Sequence, residues 1–373
     1  MSTEPSFIER DSEKILNEII VQYELETGKS LEPAQAERLL LNVVAYRETL
    51  LRSKIQEAAL KNLVSFSSAP VLDYLGEIVG VFRLPAQPAK ATIEFTLVDG
   101  HTGVTIPEGT RVRSEDGKAI FQTESSEIVS VGIETVNIEC ESISLGTQGN
   151  GFVSGQINTI LDPEAFMVSA SNIEETAGGA AQESDDSLKE RIKLAPASFS
   201  TAGSKDAYIF FTRSANSNII DVAVTNPIPG TVNIYPLVEG GISTPSQVIE
   251  QVEAILSDEK IRPLTDTIEV ISPVQKLYSL EVDIEIFNSF VSENVKSNVE
   301  DALNDFSTER QGKLGLDITN SKVVSVSMID GVHLSNVRIL DDEDNEIEEL
   351  EVLETEFAKS SDITVTITGT TDG

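Results

Sequence analysis

One stretch of the chain, residues 33–65, constrains the fold most, because its apolar residues recur with the period of a long helix. Leu40, Val44, Leu51 and Ile55 follow one another at spacings that place them on one helix face. A second row beside them widens the apolar surface: Leu39, Val43, Tyr46 and Leu50. Pro33 suits a first helical turn, so we expect one helix of about 33 residues, a rod of roughly 50 Å.

Only two short helical patterns accompany this rod. The first runs from Asp11 to Thr27 and stops at Gly28, and the second covers residues 71–80. Because two short helices leave part of a wide apolar stripe uncovered, we expect helices of other chains to complete the bundle at Leu40, Val44, Leu51 and Ile55. A three-helix bundle closed within the chain is the alternative.

The apolar period changes from that of a helix to that of a strand after the Pro-bearing linker at 84–90. The sequence therefore predicts a multidomain α+β protein. It has an N-terminal helical region (1–84) and a β-rich middle domain (89–183). Two small C-terminal α/β domains follow (184–273 and 274–373), in which helices alternate with strands.

Capping-box spacings predict where two helices of the C-terminal half begin. Ser187 stands three residues before Glu190, and Thr244 stands three residues before Gln247 with a proline between them. An N-cap hydroxyl followed by Glu or Gln at this distance is typical of a helix start, so we expect Ser187 and Thr244 to be N-caps.

The Gly-Ala strip in "EETAGGAAQESDD" (174–186) is the sequence feature most similar to a phosphate-binding loop. It lacks the lysine and hydroxyl of such a loop, and the acids that follow it would repel a phosphate. Gly178 and Gly179 instead indicate a domain connector with backbone freedom, which we interpret as a hinge.

The charge balance excludes several partner classes. The 62 acidic and 27 basic residues give a formal net charge of −35. A field of this sign repels nucleic-acid phosphates and anionic lipids and favours partners with basic patches, although adaptation to a salty milieu would give the same composition. The start "MSTEPSFIERDSEK" has no signal-peptide pattern and no stretch is apolar enough to cross a bilayer, so we expect a cytosolic product without membrane insertion.

The sequence contains few side chains of the kinds that usually act in catalysis or bind metals. The two histidines, His101 and His333, read as a turn and a strand residue, and Cys140 lies in an alternating strand pattern that predicts a packed thiol. The loop "DDEDNE" (341–346) resembles a calcium loop but lacks its sixth-position glycine and twelfth-position glutamate. We therefore predict no catalytic, cofactor-binding or metal site, and no enzyme.

Several segments in order carry a resemblance to a known family. They are "LKNLVSFSSAPVLDYLGEIVGVFRLPAQ" (60–87), "TIPEGTRV" with "GKAIFQT" (105–123), "GTQGNGFVSGQINTIL" (146–161), "VSASNIEETAGGAAQESDDSLKERI" (168–192) and "GSKDAYIFFTRSANSNIIDVAVTN" (203–226). Together they resemble the baseplate J-like family of contractile phage tails. The resemblance runs from roughly residue 40 to residue 340.

The resemblance implies a structural wedge protein of a baseplate that rearranges before sheath contraction. In that family, two copies and one copy of a second tail protein join through N-terminal helices. C-terminal domains, here from about Tyr278 onward, then link neighbouring wedges into a ring around the tail hub. The helical interface carried over to this chain comprises Leu40, Val44, Leu51 and Ile55, with Leu72 and Leu75 at its base.

The expected partners are thus a second copy of the chain, other wedge proteins, the hub and neighbouring wedges. The expected location is the tail baseplate of a virion, or of a bacteriocin or injection device, after assembly in the host cytoplasm. Two alternatives stay open: a receptor-binding tail protein or adhesin, suggested by the β-rich middle, and a tail-associated glycan hydrolase using an acidic pair. The absence of tryptophan disfavours the hydrolase, since sugar platforms are usually aromatic.

Overall fold

The protein was analysed as a computed structural model, which describes residues 4–199, 204–258, 261 and 267–372. These residues form two compact units. The first comprises the residues up to Arg83 together with Leu188–Lys193, and the second comprises Leu84–Ser187 and the residues from Leu194 onward. Helices dominate the N-terminal part, strands the middle, and both alternate towards the C-terminus, which confirms the predicted α+β class.

The N-terminal part of the first unit contains three α-helices: α1 (Ser12–Thr27), α2 (Ala36–Lys61) and α3 (Val71–Ile78). The carboxylate of Asp11 caps α1 by accepting hydrogen bonds from the amides of Glu13 and Lys14. The helix ends at Gly28, whose φ of 69° is the left-handed conformation that glycine adopts at low cost. Both ends of α1 therefore match the sequence prediction, and its apolar side packs on α2.

The second helix is shorter than predicted. It begins at Ala36 and ends at Lys61, so the rod is about 39 Å long. Pro33 lies in a turn before the helix, where the amide of Gln35 donates to the carbonyl of Glu32. At the other end the side-chain amide of Asn62 donates to the carbonyl of Ala58, and a 3₁₀ turn replaces the α-helix from Val64 to Phe66.

The β-rich part of the second unit is built from eight strands. They are β1 (Pro88–Leu97), β2 (Val104–Ile106), β3 (Arg111–Ser114), β4 (Ile120–Thr123), β5 (Glu127–Val129), β6 (Thr135–Leu145), β7 (Ile157–Ile160) and β8 (Met167–Asn172). Six form an antiparallel sheet in the order β7-β3-β4-β6-β1-β8, and β2 pairs with β5. Inward and outward residues alternate along β1, as the period of two predicts.

The two ends of this sheet contact each other, which makes it barrel-like. Asn172 on β8 joins them: its Oδ1 accepts from the amide of Ile157 on β7 at 2.8 Å, and its Nδ2 donates to the carbonyls of Phe152 and Val153. Its side chain is buried, so these bonds replace those that water would otherwise make.

The chain continues with three helices and a three-stranded sheet, and most of the first of these helices, Leu188–Lys193, belongs to the first unit. The elements are α4 (Asp185–Leu194), α5 (Lys205–Arg213), β9 (Ile219–Ile228), β10 (Thr231–Val238), α6 (Ser246–Leu256) and β11 (Thr267–Val270). The strand order is β11-β10-β9, with β10 antiparallel to β9 and parallel to β11. The segment "TDTIEVISPV" (265–274) has the pattern of a strand; its first two residues lie outside the described residues, and the strand observed is Thr267–Val270.

Both predicted capping boxes are wrong. Helix α4 begins two residues before Ser187, and the hydroxyl of Ser184 accepts a hydrogen bond from the Ser187 amide. Helix α6 has Pro245 at its N-cap, without a side-chain cap. The Thr244 hydroxyl donates instead to the carbonyl of Pro236 on β10. The hydroxyl that the sequence pattern predicts as the helix cap is therefore used in a tertiary hydrogen bond.

The C-terminal part is a sheet covered by two helices. Its elements are β12 (Val274–Phe287), α7 (Ser292–Gln311), β13 (Ile318–Thr319), α8 (Asn320–Ser327), β14 (Val332–Leu340), β15 (Glu346–Ile347), β16 (Glu349–Leu350) and β17 (Glu356–Thr371). The sheet order is β15-β14-β12-β17, with β12 antiparallel to β14 and parallel to β17. Alternate residues of β12 from Tyr278 to Ile286 form the core together with apolar residues of α7.

No helix in the described ranges combines the length and the apolar character that crossing a membrane requires.

Cys140 is buried in β6, as the alternating pattern predicts. Burial, with Glu139 and Glu124 nearby, raises the pKa of its thiol well above the ordinary range. Because the thiolate is the reactive form, we expect the folded protein to resist alkylation by iodoacetamide and the unfolded chain to take up one equivalent. Mass spectrometry before and after denaturation measures this. Rapid labelling of the folded protein would contradict it.

Candidate partner interface

Helix α2 has two faces of opposite character, and its own chain covers the more polar one. Ala45 and Gln56 are its buried residues. The Oε1 atom of Gln56 accepts a hydrogen bond from the amide of Phe7 at 2.8 Å, and its Nε2 donates to the carbonyl of Pro5 at 2.6 Å. The N-terminal segment is therefore fixed to α2 by hydrogen bonds rather than by a large apolar contact.

Charged side chains continue this covered face. Arg52 donates to Glu48 one helical turn away at 2.5 Å, and its guanidinium lies 3.8 Å from the carboxylate of Glu18 on α1. Arg38 donates to the carbonyl of Leu31, which closes the loop between α1 and α2. Polar contacts thus accompany the packing of α1 on α2, and Ile15 and Ile20 are the buried apolar residues of α1.

The opposite side of α2 carries an uncovered surface that we name the apolar band. It consists of Leu39, Leu40, Val43, Val44, Tyr46, Leu50, Leu51 and Ile55, whose exposed fractions range from 43 to 65%. At 3.6 residues per turn these positions span about half of the helix circumference. Monomeric soluble proteins rarely leave so continuous an apolar surface in water, so the band is a candidate partner interface.

The predicted interface residues divide between exposed and buried positions. Leu40, Val44, Leu51 and Ile55 all lie in the apolar band, with exposed fractions of 65, 46, 61 and 46%. Leu72 on α3 is fully buried, so its side chain has no surface to offer a partner in this conformation.

Helix α3 turns Leu72 inward because Gly76, one turn later, lies against the chain. The Gly76 carbonyl accepts from the amide of Val81, and a Cβ at Gly76 would stand 3.3 Å from Cδ1 of Ile192. Leu75 is half-buried. The exposed apolar residues of α3 are Tyr74 and Ile78, which the sequence reasoning missed although their spacing of four residues places them on one face.

The predicted hinge at Gly178 and Gly179 lies in a hydrogen-bonded ribbon. The segments 84–90 and 177–183 run antiparallel, and the paired residues are Leu84 with Glu183, Gln87 with Ala180 and Lys90 with Ala177. These are the segments by which the chain enters and leaves the β-rich part. Both linkers that the sequence marked as flexible are therefore bonded to each other.

Asparagine side chains fix the glycines of this ribbon in place. Asn150 makes two bonds with Gly179, donating to its carbonyl at 2.8 Å and accepting from its amide at 2.9 Å. Asn218 donates to the same carbonyl, and the buried Asn216 donates to the carbonyl of Gly178 and to Gln251 on α6. A buried side-chain amide with all these partners is typical of a rigid junction.

Glycine stands at positions 178 and 179 for different structural reasons. Gly178 has a φ of 85°, which favours glycine. Gly179 needs its missing side chain for space, because a Cβ there would stand 2.5 Å from the carbonyl oxygen of Gly146 and 2.8 Å from Oδ1 of Asn150. Close packing, rather than freedom, explains Gly179, and its role as a hinge stays a prediction.

His101 and the acidic loop occupy structural positions. The Nδ1 atom of buried His101 accepts from the amide of Gly103, and its Nε2 donates to the carbonyl of Ile133. The carboxylate of Asp341 accepts from the amides of Glu343 and Asn345, and these bonds lower its pKa. Within the described ranges, no group of three or more His, Cys, Asp or Glu side chains is placed to hold a metal ion.

The fold and the apolar band thus define a multidomain α+β protein with an exposed helical interface. Three family models match successive parts of the chain: the baseplate J-like N-terminal domain at 37–90, the baseplate J-like barrel domain at 92–179 and the baseplate J-like central domain at 200–272. Together they cover more than half of the sequence. The chain belongs to the baseplate J-like family.

Two known proteins illustrate the similarity. Baseplate protein J of Escherichia phage P2 is 30% identical over 154 residues, which are 41% of this chain and 51% of the phage protein. The chain thus spans about half the length of this curated relative. A chain in the cryo-EM structure of the anti-feeding prophage baseplate is 11% identical, with coverage of 93% of this chain and 90% of that chain and a TM-score of 0.41. This is a coarse likeness from which nothing about function follows.

Replacing Gly179 by alanine tests whether close packing explains this residue. The new Cβ would meet the Gly146 carbonyl, so we expect a loss of about 1–3 kcal/mol in the free energy of unfolding, measured by denaturant titration. Gly312→Ala is the matched control, since its Cβ would meet only ordinary contacts of 3.4 Å or more. Equal stability of the two variants would contradict this explanation.

Proposed function

We propose that this protein is a structural wedge component of the baseplate of a contractile tail or of a related injection device. The observation that carries the proposal is the apolar band of α2, which faces away from the α1 helix that covers the polar side. Membership of the baseplate J-like family supports the same role. A structural part needs adhesive surfaces rather than reactive groups, and the proposed role is not enzymatic.

The partner of the apolar band is, in this proposal, a bundle of helices from a second copy of the chain and from another baseplate protein. The band spans about half of the α2 circumference, which is wider than the seam that one helix covers. Two further helices therefore fit it better than one. Arg47, which is exposed between the two apolar rows, offers a cation to an acidic residue on such a partner.

The domain assignments remain part of the proposal. The helical segment 1–84 would form the wedge bundle, and the segments 89–183 and 184–273 would connect it to the C-terminal segment 274–373. That last segment would contact neighbouring wedges, closing a ring around the hub in the baseplate. Heterologous contacts that close a ring need separate adhesive patches on one chain, which this division supplies.

The hydrogen bonds of the ribbon restrict where the chain can bend in the proposed rearrangement before sheath contraction. Bending at Gly178 and Gly179 alone would break the pairing with 84–90 and the bonds from Asn150 and Asn216. We therefore propose that the ribbon moves as one body with the β-rich part.

No specific observation favours the adhesin or the glycan hydrolase considered from the sequence. The exposed helical surface belongs to an assembly part rather than to a receptor-binding tip, and it is the feature that the two alternatives leave unexplained.

The double substitution Leu51→Asp and Ile55→Asp tests the proposed interface. Both side chains are exposed, so the chain should fold, while their lost burial and the buried carboxylates should weaken partner binding by about 3 kcal/mol or more, roughly a hundredfold. Co-purification with the other baseplate proteins and quantitative pull-down measure this.

The matched control is Asn42→Asp with Ser53→Asp, which adds the same charge to exposed polar positions of α2 outside the apolar band. It should bind partners almost as well as the natural chain. Normal wedge assembly by the Leu51 and Ile55 variant would refute the proposed interface, as would equal loss in the control.

A further inference from the structure

The sheet order β15-β14-β12-β17 leaves the strand β17 at an edge. This strand has 16 residues, and β12 pairs with it on one side from Glu356 to Thr371. Among the residues that the structure describes, no strand pairs with its other side. A long, open edge is a template for another strand, and natural proteins usually protect such edges.

The backbone bonds of β17 show how much of its edge is open. Alternate residues of a strand direct their amide and carbonyl groups to opposite sides, so half of these groups point away from β12. Apart from the pairing with β12, the backbone of β17 is bonded within the described chain only near its two ends. There the amide of Gly315 donates to Glu356 and the amide of Asn288 donates to Thr371.

Two bulges bracket a regular piece of this edge. Ser361 and Thr368 are skipped in the register with β12, and their hydroxyls donate to the carbonyls of Tyr278 and Ile284. Between them, Asp362–Ile367 pairs with β12 without interruption. Bulges twist and blunt an edge, so the segment between them is where another strand can pair.

The chemistry of this segment is unusual for an exposed edge. The run 363–371, "ITVTITGTT", contains no charged residue and no proline, in a chain with a net charge of −35. It is rich in the β-branched residues that favour strands. The common protective devices, lysine and proline, are absent from this run of the strand.

We propose that Ile363–Ile367 of β17 pairs antiparallel with the same segment of a second copy of this chain, which joins two four-stranded sheets into one. This pairing is one specific form of the C-terminal contact between neighbouring wedges, so it rests on the proposed function. The backbone amides and carbonyls that face away from β12 supply the bonds, so the contact requires no side-chain rearrangement.

Charge distribution favours a second copy over a foreign strand. Two charges, Asp362 and Asp372, flank the run. A two-fold axis at Thr364, Val365 or Thr366 sets Asp362 opposite Thr366, Thr368 or Thr370 of the other copy, so no like charges meet directly within the paired segment, although both copies are acidic. An uncharged edge also offers no charge pattern by which a foreign strand could be selected.

The test is the double substitution Thr364→Lys with Thr366→Lys in the full-length chain that already carries Leu51→Asp and Ile55→Asp. That background removes self-association through the apolar band. The two lysines lie beside Glu281 and Asp283 of β12, which favours folding. Each two-fold register named above sets a lysine opposite a lysine, so we expect self-association about tenfold weaker in sedimentation velocity.

The matched control is Leu334→Lys with Asn336→Lys in the same background. These exposed residues of β14 pair with Glu285 and Asp283 of β12, so the added charge meets similar acids across the sheet from β17. The control should self-associate like its parent. A parent that stays monomeric, a lysine variant that self-associates like its parent, or equal loss in the control would each overturn the proposal.

Cysteine cross-linking provides a second measurement that does not depend on lysine variants. Cys140, the single natural cysteine, is buried, so a cysteine placed at Thr364 or Thr366 is the accessible one. Under mild oxidation, the Thr364 variant, the Thr366 variant or an equimolar mixture of the two should form a disulfide-linked dimer of this chain, since each two-fold register named above sets one of these cysteine pairs opposite each other. Failure of all three samples, or cross-linking only to another baseplate protein, would overturn the proposal. The wedge-assembly experiment on the α2 variants is independent of this one. If assembly is normal in those variants but the disulfide-linked dimer forms, the apolar-band interface is wrong while the β17 contact is supported.

Discussion

Helix α2 has a covered polar face and an uncovered apolar face, and the proposed role of this protein depends on that division. Gln56 and Arg52 fix the covered face by hydrogen bonds and ion pairs, while the apolar band stays in water. Burying each such side chain would contribute about 1.5–3 kcal/mol, so the first unit would gain stability from a partner that covers the band. The proposed interface is therefore the part of this unit that a partner would complete.

The second unit shows the opposite arrangement. The ribbon of 84–90 and 177–183 is closed by backbone pairing and by the side chains of Asn150 and Asn216. Asn172 similarly joins the ends of the six-stranded sheet. The side-chain amides of Asn172 and Asn216 are buried and satisfied, and satisfied polar networks make a structure rigid. A rigid body that carries adhesive surfaces suits a protein which must transmit position through an assembly, and the open edge of β17 is a second such surface.

Local patterns in the sequence predicted the class of the fold and many of its elements. The period change near residue 88, the helix start near Asp11 and the stop at Gly28 depend on neighbouring residues alone, and the structure confirms them. The capping boxes at Ser187 and Thr244 were wrong because the Ser184 hydroxyl caps the first helix and the Thr244 hydroxyl binds Pro236 on a neighbouring strand. Spacing identifies a hydroxyl that could cap a helix, but it contains no information about competing acceptors.

The sequence by itself determined the apolar band, because a helix has a fixed period and apolar residues in that period must share a face. It also determined the buried thiol of Cys140 through strand alternation. Only the tertiary structure decided that Leu72 points inward, that Gly179 is a packing requirement, and that β17 is an edge. These three outcomes depend on which segments of the chain contact each other, such as Val81 with Gly76 or Gly146 with Gly179. A local sequence pattern does not encode such contacts.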